Sequence, residues 1–219
     1  MDYRELGKKI EEKTKLNNLV SSNTREAFAL FKAQSKEIIE NLSKEFKDIN
    51  ASYKDKSELE FEIRFGSDVL VFVMHTNVFE FSRFHDVMKL PYVRENINRS
   101  YSGMINIYNF LSDSFDYNRL MDYGYMIARI FINKENHYFI EGKREVGALY
   151  TRFSHSVINE ESVRNIILSS MDYTNSFDLL TPPFDEVKII TVGQIIAKYS
   201  ERKQITAKRL GFDFKQDKE

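Results

Sequence analysis

The sequence predicts an α+β fold: an antiparallel sheet of about five strands, flanked by N-terminal and C-terminal helices. Three observations predict it. An apolar stripe recurs at helical spacing over residues 24–49, apolar and charged residues alternate over 59–65, and three more apolar runs lie between residues 101 and 145. Of the 219 residues, 42% are hydrophobic and 14% aromatic, so the chain can bury a substantial core.

Two N-terminal helices are expected, over residues 3–17 and 24–49, separated by a polar break at residues 21–23. Asn23 or Thr24 is a suitable N-cap for the second helix, because such side chains accept hydrogen bonds from free backbone N–H groups. At about 1.5 Å per residue the second helix would be roughly 39 Å long, more than the width of a small sheet. It would either pack along its own domain or pair with a second copy in a homodimer.

The first two strands follow these helices. Residues 59–65 alternate between apolar and charged, which is typical of a strand with one buried face. Residues 69–74 are continuously apolar, as expected for a strand covered on both faces. Residues 77–88 are ambiguous, with a strand that continues into a short helix as the interpretation we consider. The polar residues 92–102 form a connecting loop.

Residues 101–145 carry the other three strands. The apolar runs are residues 104–110, 123–132 and 137–140, and Asn133 to Asn136 provide a turn between the last two. They predict a long antiparallel hairpin with a neighbouring strand. If Asn133 faces Asn136 across the turn, then Glu141 faces Ala128.

Helices close the chain. Glu160 and Glu161 open one helix, residues 187–190 predict a short strand, and Thr191 with Gln194 makes a capping box for a helix to about residue 202. We therefore divide the chain into N-terminal helices (1–52), an α+β core (53–203) and a polar, basic, flexible tail (204–219).

Two strands, a connector and three strands form an element order similar to that of the PAS and GAF sensor folds. The resemblance concerns the order of elements and implies an architecture, because a fold does not determine a function.

Composition excludes several classes of site. Without cysteine the chain has no disulfide, no thiolate nucleophile and no cysteine-ligated metal. No apolar run is long enough to span a bilayer, and the charged N-terminus lacks a signal core. We expect a cytoplasmic protein without membrane association. The abundance of Lys, Asn, Ile and Phe suggests an AT-rich bacterial source.

The net charge predicts no attraction of the whole chain for a charged partner, and the histidine and glycine patterns predict no cofactor. The 32 basic and 33 acidic residues nearly balance, so the whole chain has no net attraction for nucleic acid. None of the four histidines has the spacing of a zinc site, and the glycines are scattered singly rather than in a phosphate-binding loop. The histidines are His75, His85, His137 and His155.

An enzymatic alternative comes from Glu141-Gly142-Lys143 at a strand end, preceded by Asp122. An acid, a strand and then Glu-x-Lys resembles the metal site of the restriction-endonuclease-like nucleases. The resemblance implies that the acids bind Mg²⁺ or Mn²⁺ and that Lys143 assists the attacking water. The predicted pairing opposes it, since Asp122 would lie roughly 20 Å from Glu141 at about 3.3 Å per residue.

Arg129 is the residue that we single out for ligand binding. It is the only charge in its apolar run, and a guanidinium on an apolar face must reach water or meet an anion. That anion is either an acid such as Glu60, Glu62 or Asp68, or a ligand. On the expected register Arg129 shares its face with Tyr125 and Tyr138, which would line a pocket.

A second alternative is nucleic-acid binding. The C-terminal segment resembles a helix-turn-helix loosely and is basic. Its basic residues are Lys198, Arg202, Lys203, Lys208 and Arg209.

Since enzyme motifs are otherwise absent, we favour a non-enzymatic regulatory or interaction domain. It would bind a protein partner or a small ligand and would form a homodimer.

Overall fold

The computed structural model describes residues 2–142, 153–177, 184–189 and 191–193. Within them, antiparallel strands form one sheet with a long helix lying across it, which confirms the predicted α+β class. The helices are α1 (Tyr3–Glu45), α2 (Pro91–Glu95), α3 (Ser112–Asp116), α4 (Glu160–Asn175) and α5 (Phe184–Val187). The strands are β1 (Ala51–Ser57), β2 (Glu60–Phe65), β3 (Asp68–Met74), β4 (Phe79–Glu80), β5 (Tyr101–Leu111), β6 (Tyr125–Asn133) and β7 (Tyr138–Gly142).

The sheet is a meander in which the order β1-β2-β3-β5-β6-β7 follows the chain. The short strand β4 pairs with the first two residues of β5. Seven strands therefore replace the expected five: β1 was not predicted, and β4 lies in the ambiguous segment 77–88, where a short strand is followed by a helical turn at Asp86–Lys89. β1 reads Ala-Ser-Tyr-Lys-Asp-Lys-Ser and is mostly exposed, so it has no hydrophobic alternation to detect.

The N-terminal helix is continuous, so the predicted break at residues 21–23 is wrong. Its polar residues do not end the helix, because one bonds within the helix and another bonds to the β6–β7 turn. The Thr24 hydroxyl donates to the carbonyl of Val20 at 2.7 Å, and the Asn23 amide donates to the carbonyl of Asn133 at 3.1 Å. A Cβ at Gly103 would overlap the Thr24 side chain, so the helix approaches the sheet closely at this point.

The main core lies between the sheet and helices α1 and α4. Phe61 stacks on Phe72 with ring centroids 4.5 Å apart, and Phe28 and Phe31 of α1 pack against these two rings. We call this side of the sheet the helix face. Strand residues that pack there include Ile63, Leu70, Ile105, Ile107, Ile130 and Ile140.

A smaller core lies on the other side of the sheet, which we call the second face. Phe81, Val87 and Val93 from the connector between β4 and β5 pack there against Phe131 and Phe153. The connector is thus part of the folded body rather than a loop.

The β6–β7 hairpin has a register one residue away from the expected one. Ile130 faces Ile140 and Arg129 faces Glu141. The backbone N–H of Asn133 donates to the carbonyl of His137, and Asn136 adopts a positive φ of 58°. A three-residue loop therefore closes the turn, and the one-residue shift exchanges the faces on which the side chains of β7 lie.

The C-terminal half is only partly described. The helix predicted at Glu160 is confirmed as α4, which Asn159 and Ser162 cap reciprocally. The strand predicted at residues 187–190 is wrong for its described residues 187–189, because Val187 ends the short helix α5 and no strand follows it there; residue 190 lies outside the described residues. The predicted helix over 191–202 and the tail over 204–219 lie almost entirely outside the described residues.

Candidate functional site

Arg129 and Glu141 occupy facing positions on β6 and β7, on the second face of the sheet. An Arg129 terminal nitrogen lies 3.6 Å from one oxygen of Glu141, and His85 Nε2 lies 2.8 Å from the other oxygen. The guanidinium therefore meets an acid of its own chain, as expected, but that acid is Glu141 rather than Glu60, Glu62 or Asp68.

The geometry around His85 favours a structural role. Its Nδ1 accepts a hydrogen bond from the backbone N–H of Val87 at 3.2 Å, which caps a short helical turn. Nδ1 is thus an acceptor, so Nε2 must carry the proton that is donated to Glu141. A histidine paired with a carboxylate is typical of general bases, but here neither ring nitrogen keeps a free lone pair for a substrate proton.

The expected grouping of Arg129 with Tyr125 and Tyr138 is wrong. Tyr138 is buried in the core of the helix face, and Tyr125 packs at the edge of that core. Two features of β6 cause the error. The hairpin register moves Tyr138 to the opposite face from Arg129, and a bulge near Ile127 does the same for Tyr125, which faces Asn109.

Asp122 and Glu141, the described residues of the nuclease alternative, do not lie together. Asp122 precedes β6 and accepts a hydrogen bond from Ser114 at 2.7 Å, whereas Glu141 pairs with His85 and Arg129. Lys143 lies outside the described residues. Within those residues, no group of three or more His, Asp or Glu side chains is arranged to hold a metal ion.

A second charged cluster surrounds Glu62 and was not anticipated. The Glu62 side chain is buried, and its two oxygens lie 3.0 Å from Lys56 Nζ and 3.5 Å from Arg64 Nε. Arg64 also donates to Asp116 at 2.6 Å, a bond that raises the pKa of Arg64 above its ordinary value. The cluster joins β1, β2 and α3, so its evident role is to hold these elements together.

A surface groove of about 380 Å³ separates α1 from the edge strand β1. Its walls carry Lys36, Lys44 and Glu40, and Ile39 and Tyr53 supply apolar surface. The mixed charges do not favour an anionic or a cationic ligand. The basic residues of the predicted nucleic-acid site, from Lys198 to Arg209, all lie outside the described part of the chain.

The first part of α1 forms an exposed surface that the sequence did not predict. Every residue from 3 to 15 is exposed, and burial against the sheet begins at Val20. We call residues 3–19 the arm; at about 1.5 Å per residue it extends roughly 25 Å along the helix axis. Among its apolar side chains, Tyr3, Leu6 and Ile10 are 75%, 46% and 57% exposed, and Leu19 is 48% exposed.

Tyr3, Leu6 and Ile10 continue the stripe that the body of α1 buries. At 100° per residue, positions 3, 6 and 10 lie on the same side of the helix as 20, 24, 27 and 31. Positions 3, 6, 10, 13, 17 and 20 have the spacing of a heptad repeat, in which Lys13 and Asn17 are the polar members. The spacing of the apolar residues could have shown that the stripe continues from the arm into the body of α1. The expected break at residues 21–23 concealed this continuity.

Comparisons with protein-family models, curated proteins and solved structures found no match to this chain. Among the described helices, none combines the length and the apolar character needed to cross a membrane; α1 is long enough but is rich in charged residues.

Proposed function

We propose that this chain is a non-enzymatic interaction domain that associates with a second copy through the arm of α1. The single observation that carries the proposal is the exposed stripe of Tyr3, Leu6 and Ile10 on a helix that projects beyond the folded body. A cytoplasmic location is part of the proposal, since a chain without cysteine forms no disulfide.

The arm needs a partner to be a stable helix. A single helix of about 15 residues is marginal in water, and most helical stability in proteins comes from packing an apolar face. Gly7 lowers the helical preference of the arm further. The ion pairs Glu5–Lys9 and Glu11–Lys15 stabilise it, but exposed pairs of this kind contribute only about 0.3–0.5 kcal/mol each.

The charges of the arm suit a second copy. The arm together with the preceding Asp2 contains five basic and four acidic side chains, a net charge of +1 from 5 − 4. Two equal arms therefore approach without strong repulsion, whereas a strongly charged partner gains little here. The basic residues are Arg4, Lys8, Lys9, Lys13 and Lys15, and the acidic ones are Asp2, Glu5, Glu11 and Glu12.

Sedimentation of the double variant Leu6→Glu/Ile10→Glu tests the proposal. Glutamate is a good helix former, so the arm keeps its helical preference, but four carboxylates would be placed in the dimer interface. The dissociation constant should rise at least about tenfold, which corresponds to about 1.4 kcal/mol.

Lys8→Gln/Lys15→Gln is the matched control. It changes the net charge by the same amount, but on the outer side of the arm, which is the side opposite Tyr3, Leu6 and Ile10. Association should persist in this variant. Equal association of the two double variants, or a monomeric wild type, would contradict the proposal.

A further inference from the structure

We infer that the two arms pair antiparallel, with Leu6 of each copy against the partner's Ile10. This inference rests on the self-association proposed above and adds the orientation and register of the pair. The observation behind it is that the exposed stripe and the sheet lie on the same side of one continuous helix.

A parallel pair is excluded by the position of the sheet. In a symmetric parallel dimer the two stripes face each other along the whole overlap, at an interaxial distance of about 8–10 Å. From Val20 onward that side of each helix is occupied by its own sheet. The sheet of each copy would then take the space of the partner's helix.

An antiparallel pair avoids this clash. The partner's arm starts beside the part of this arm that is nearest the sheet and runs toward Tyr3. The folded body of the partner therefore lies past Tyr3, away from the sheet of this copy. The layers that bury most apolar surface set Leu6 against the partner's Ile10 at both symmetric positions, and facing residue numbers then sum to 16. In this register Tyr3 lies beside the aliphatic part of the partner's Lys13, and like-charged Lys13 side chains do not meet.

The register fixes the separation of the two bodies. Because facing residue numbers sum to 16, the partner's Val20 lies level with a point four residues before position 0. The Val20 residues of the two copies are therefore 24 residue spacings apart along the helix axis. At about 1.5 Å per residue the two sheets begin roughly 36 Å apart. The dimer is therefore elongated, and the surfaces of its two bodies stay free for other partners.

Spin labels on the outer side of the arm test the orientation without altering the stripe. The chain contains no cysteine, so Lys8→Cys and Lys15→Cys each provide a single labelling site. Both positions are equivalent in the heptad, so their lateral distances across the pair are similar. In the antiparallel pair the two copies of position 8 lie at the same height along the helix axis. The two copies of position 15 are offset by 14 residues, which is about 21 Å along the axis.

Double electron–electron resonance should give a longer distance between labels at position 15 than between labels at position 8. Equal distances, or a longer distance at position 8, would overturn the antiparallel arrangement. The molar mass of the same labelled samples separates the two possible failures. A dimer with equal distances overturns the orientation alone, and a monomer at the concentrations of the distance measurement overturns the self-association as well.

Discussion

The side-chain amide of Asn23 donates a hydrogen bond to the backbone carbonyl of Asn133, which lies 110 residues further along the chain. The Asn133 side chain in turn donates to the Tyr92 hydroxyl at 2.9 Å and accepts from the backbone N–H groups of Glu135 and His137. These bonds connect α1, the β6–β7 turn and the connector. They hold α1 where the arm leaves the body.

Asn23→Ala removes the bond between helix and hairpin. The Asn133 carbonyl keeps the backbone N–H of Asn136 as a donor at 3.2 Å, so the loss of one hydrogen bond should lower the free energy of unfolding by about 0.5–1.5 kcal/mol. Urea denaturation followed by circular dichroism measures the change. Asn18→Ala, in the exposed arm, is the control; equal midpoints for both variants would show that the bond contributes nothing.

Glu135 gives the fold a dependence on acidic pH. Burial raises the pKa of Glu135, but the hydrogen bonds from Arg99 and Tyr92 and the charge of Arg99 outweigh burial, so the pKa lies below its ordinary value. A carboxylate with a lowered pKa stabilises the fold above its unfolded pKa, and this stabilisation is lost as the pH falls through the folded value.

The wild type should therefore lose more stability than Glu135→Gln between about pH 5 and pH 3. Urea midpoints at each pH report the difference, with Glu95→Gln as the control on the exposed partner of Arg99. Parallel curves for wild type and Glu135→Gln would contradict this assignment.

Two glycines of α1 and β5 predict opposite effects of the same substitution. Gly103→Ala places a methyl group against Thr24 and should lower the free energy of unfolding by about 1–3 kcal/mol or more, because the core is overpacked there. Gly7→Ala meets open space and should strengthen the arm by up to about 1 kcal/mol. Thermal unfolding measures the first change and the helical circular dichroism signal measures the second. A tolerated alanine at position 103 would mean that helix and sheet are not in close contact.

His85 should appear in nitrogen NMR spectra as the neutral form with its proton on Nε2. The bond from the Val87 N–H to Nδ1 and the bond from Nε2 to Glu141 both require this form. Glu141→Ala should remove the second bond and leave the first. A spectrum with the proton on Nδ1 would show that His85 does not cap the helical turn.

Hydrophobic patterning predicted the helix face of this fold and most strands that cover it, because those positions alternate regularly. It did not predict β1, whose exposed Lys54 and Lys56 read as a loop, nor the continuity of α1 through Asn23. In both cases tertiary contacts satisfy polar groups that local sequence treats as breaks.

The candidate site shows how much depends on one residue of register. The need of Arg129 for an acid followed from elementary electrostatics, but the identity of the acid required the turn length. A loop of three residues rather than two moved Glu141 opposite Arg129 and sent Tyr138 into the core. A loop of two residues would need a positive φ at Lys134 or Glu135, whereas the three-residue loop places it on Asn136, a residue type that tolerates it, so the residue types favoured the longer loop.

Sedimentation equilibrium of the full chain beside a chain that starts at residue 17 is the most direct test of self-association through the arm. The truncation removes the exposed residues 2–15 and the half-buried Leu16, and it leaves the buried part of α1 from Val20 onward intact. The full chain, of 25.9 kDa, should approach about 52 kDa (2 × 25.9) with rising concentration, and the shortened chain should remain near its monomer mass. A full chain that stays at 25.9 kDa, or a shortened chain that still doubles, would contradict the account.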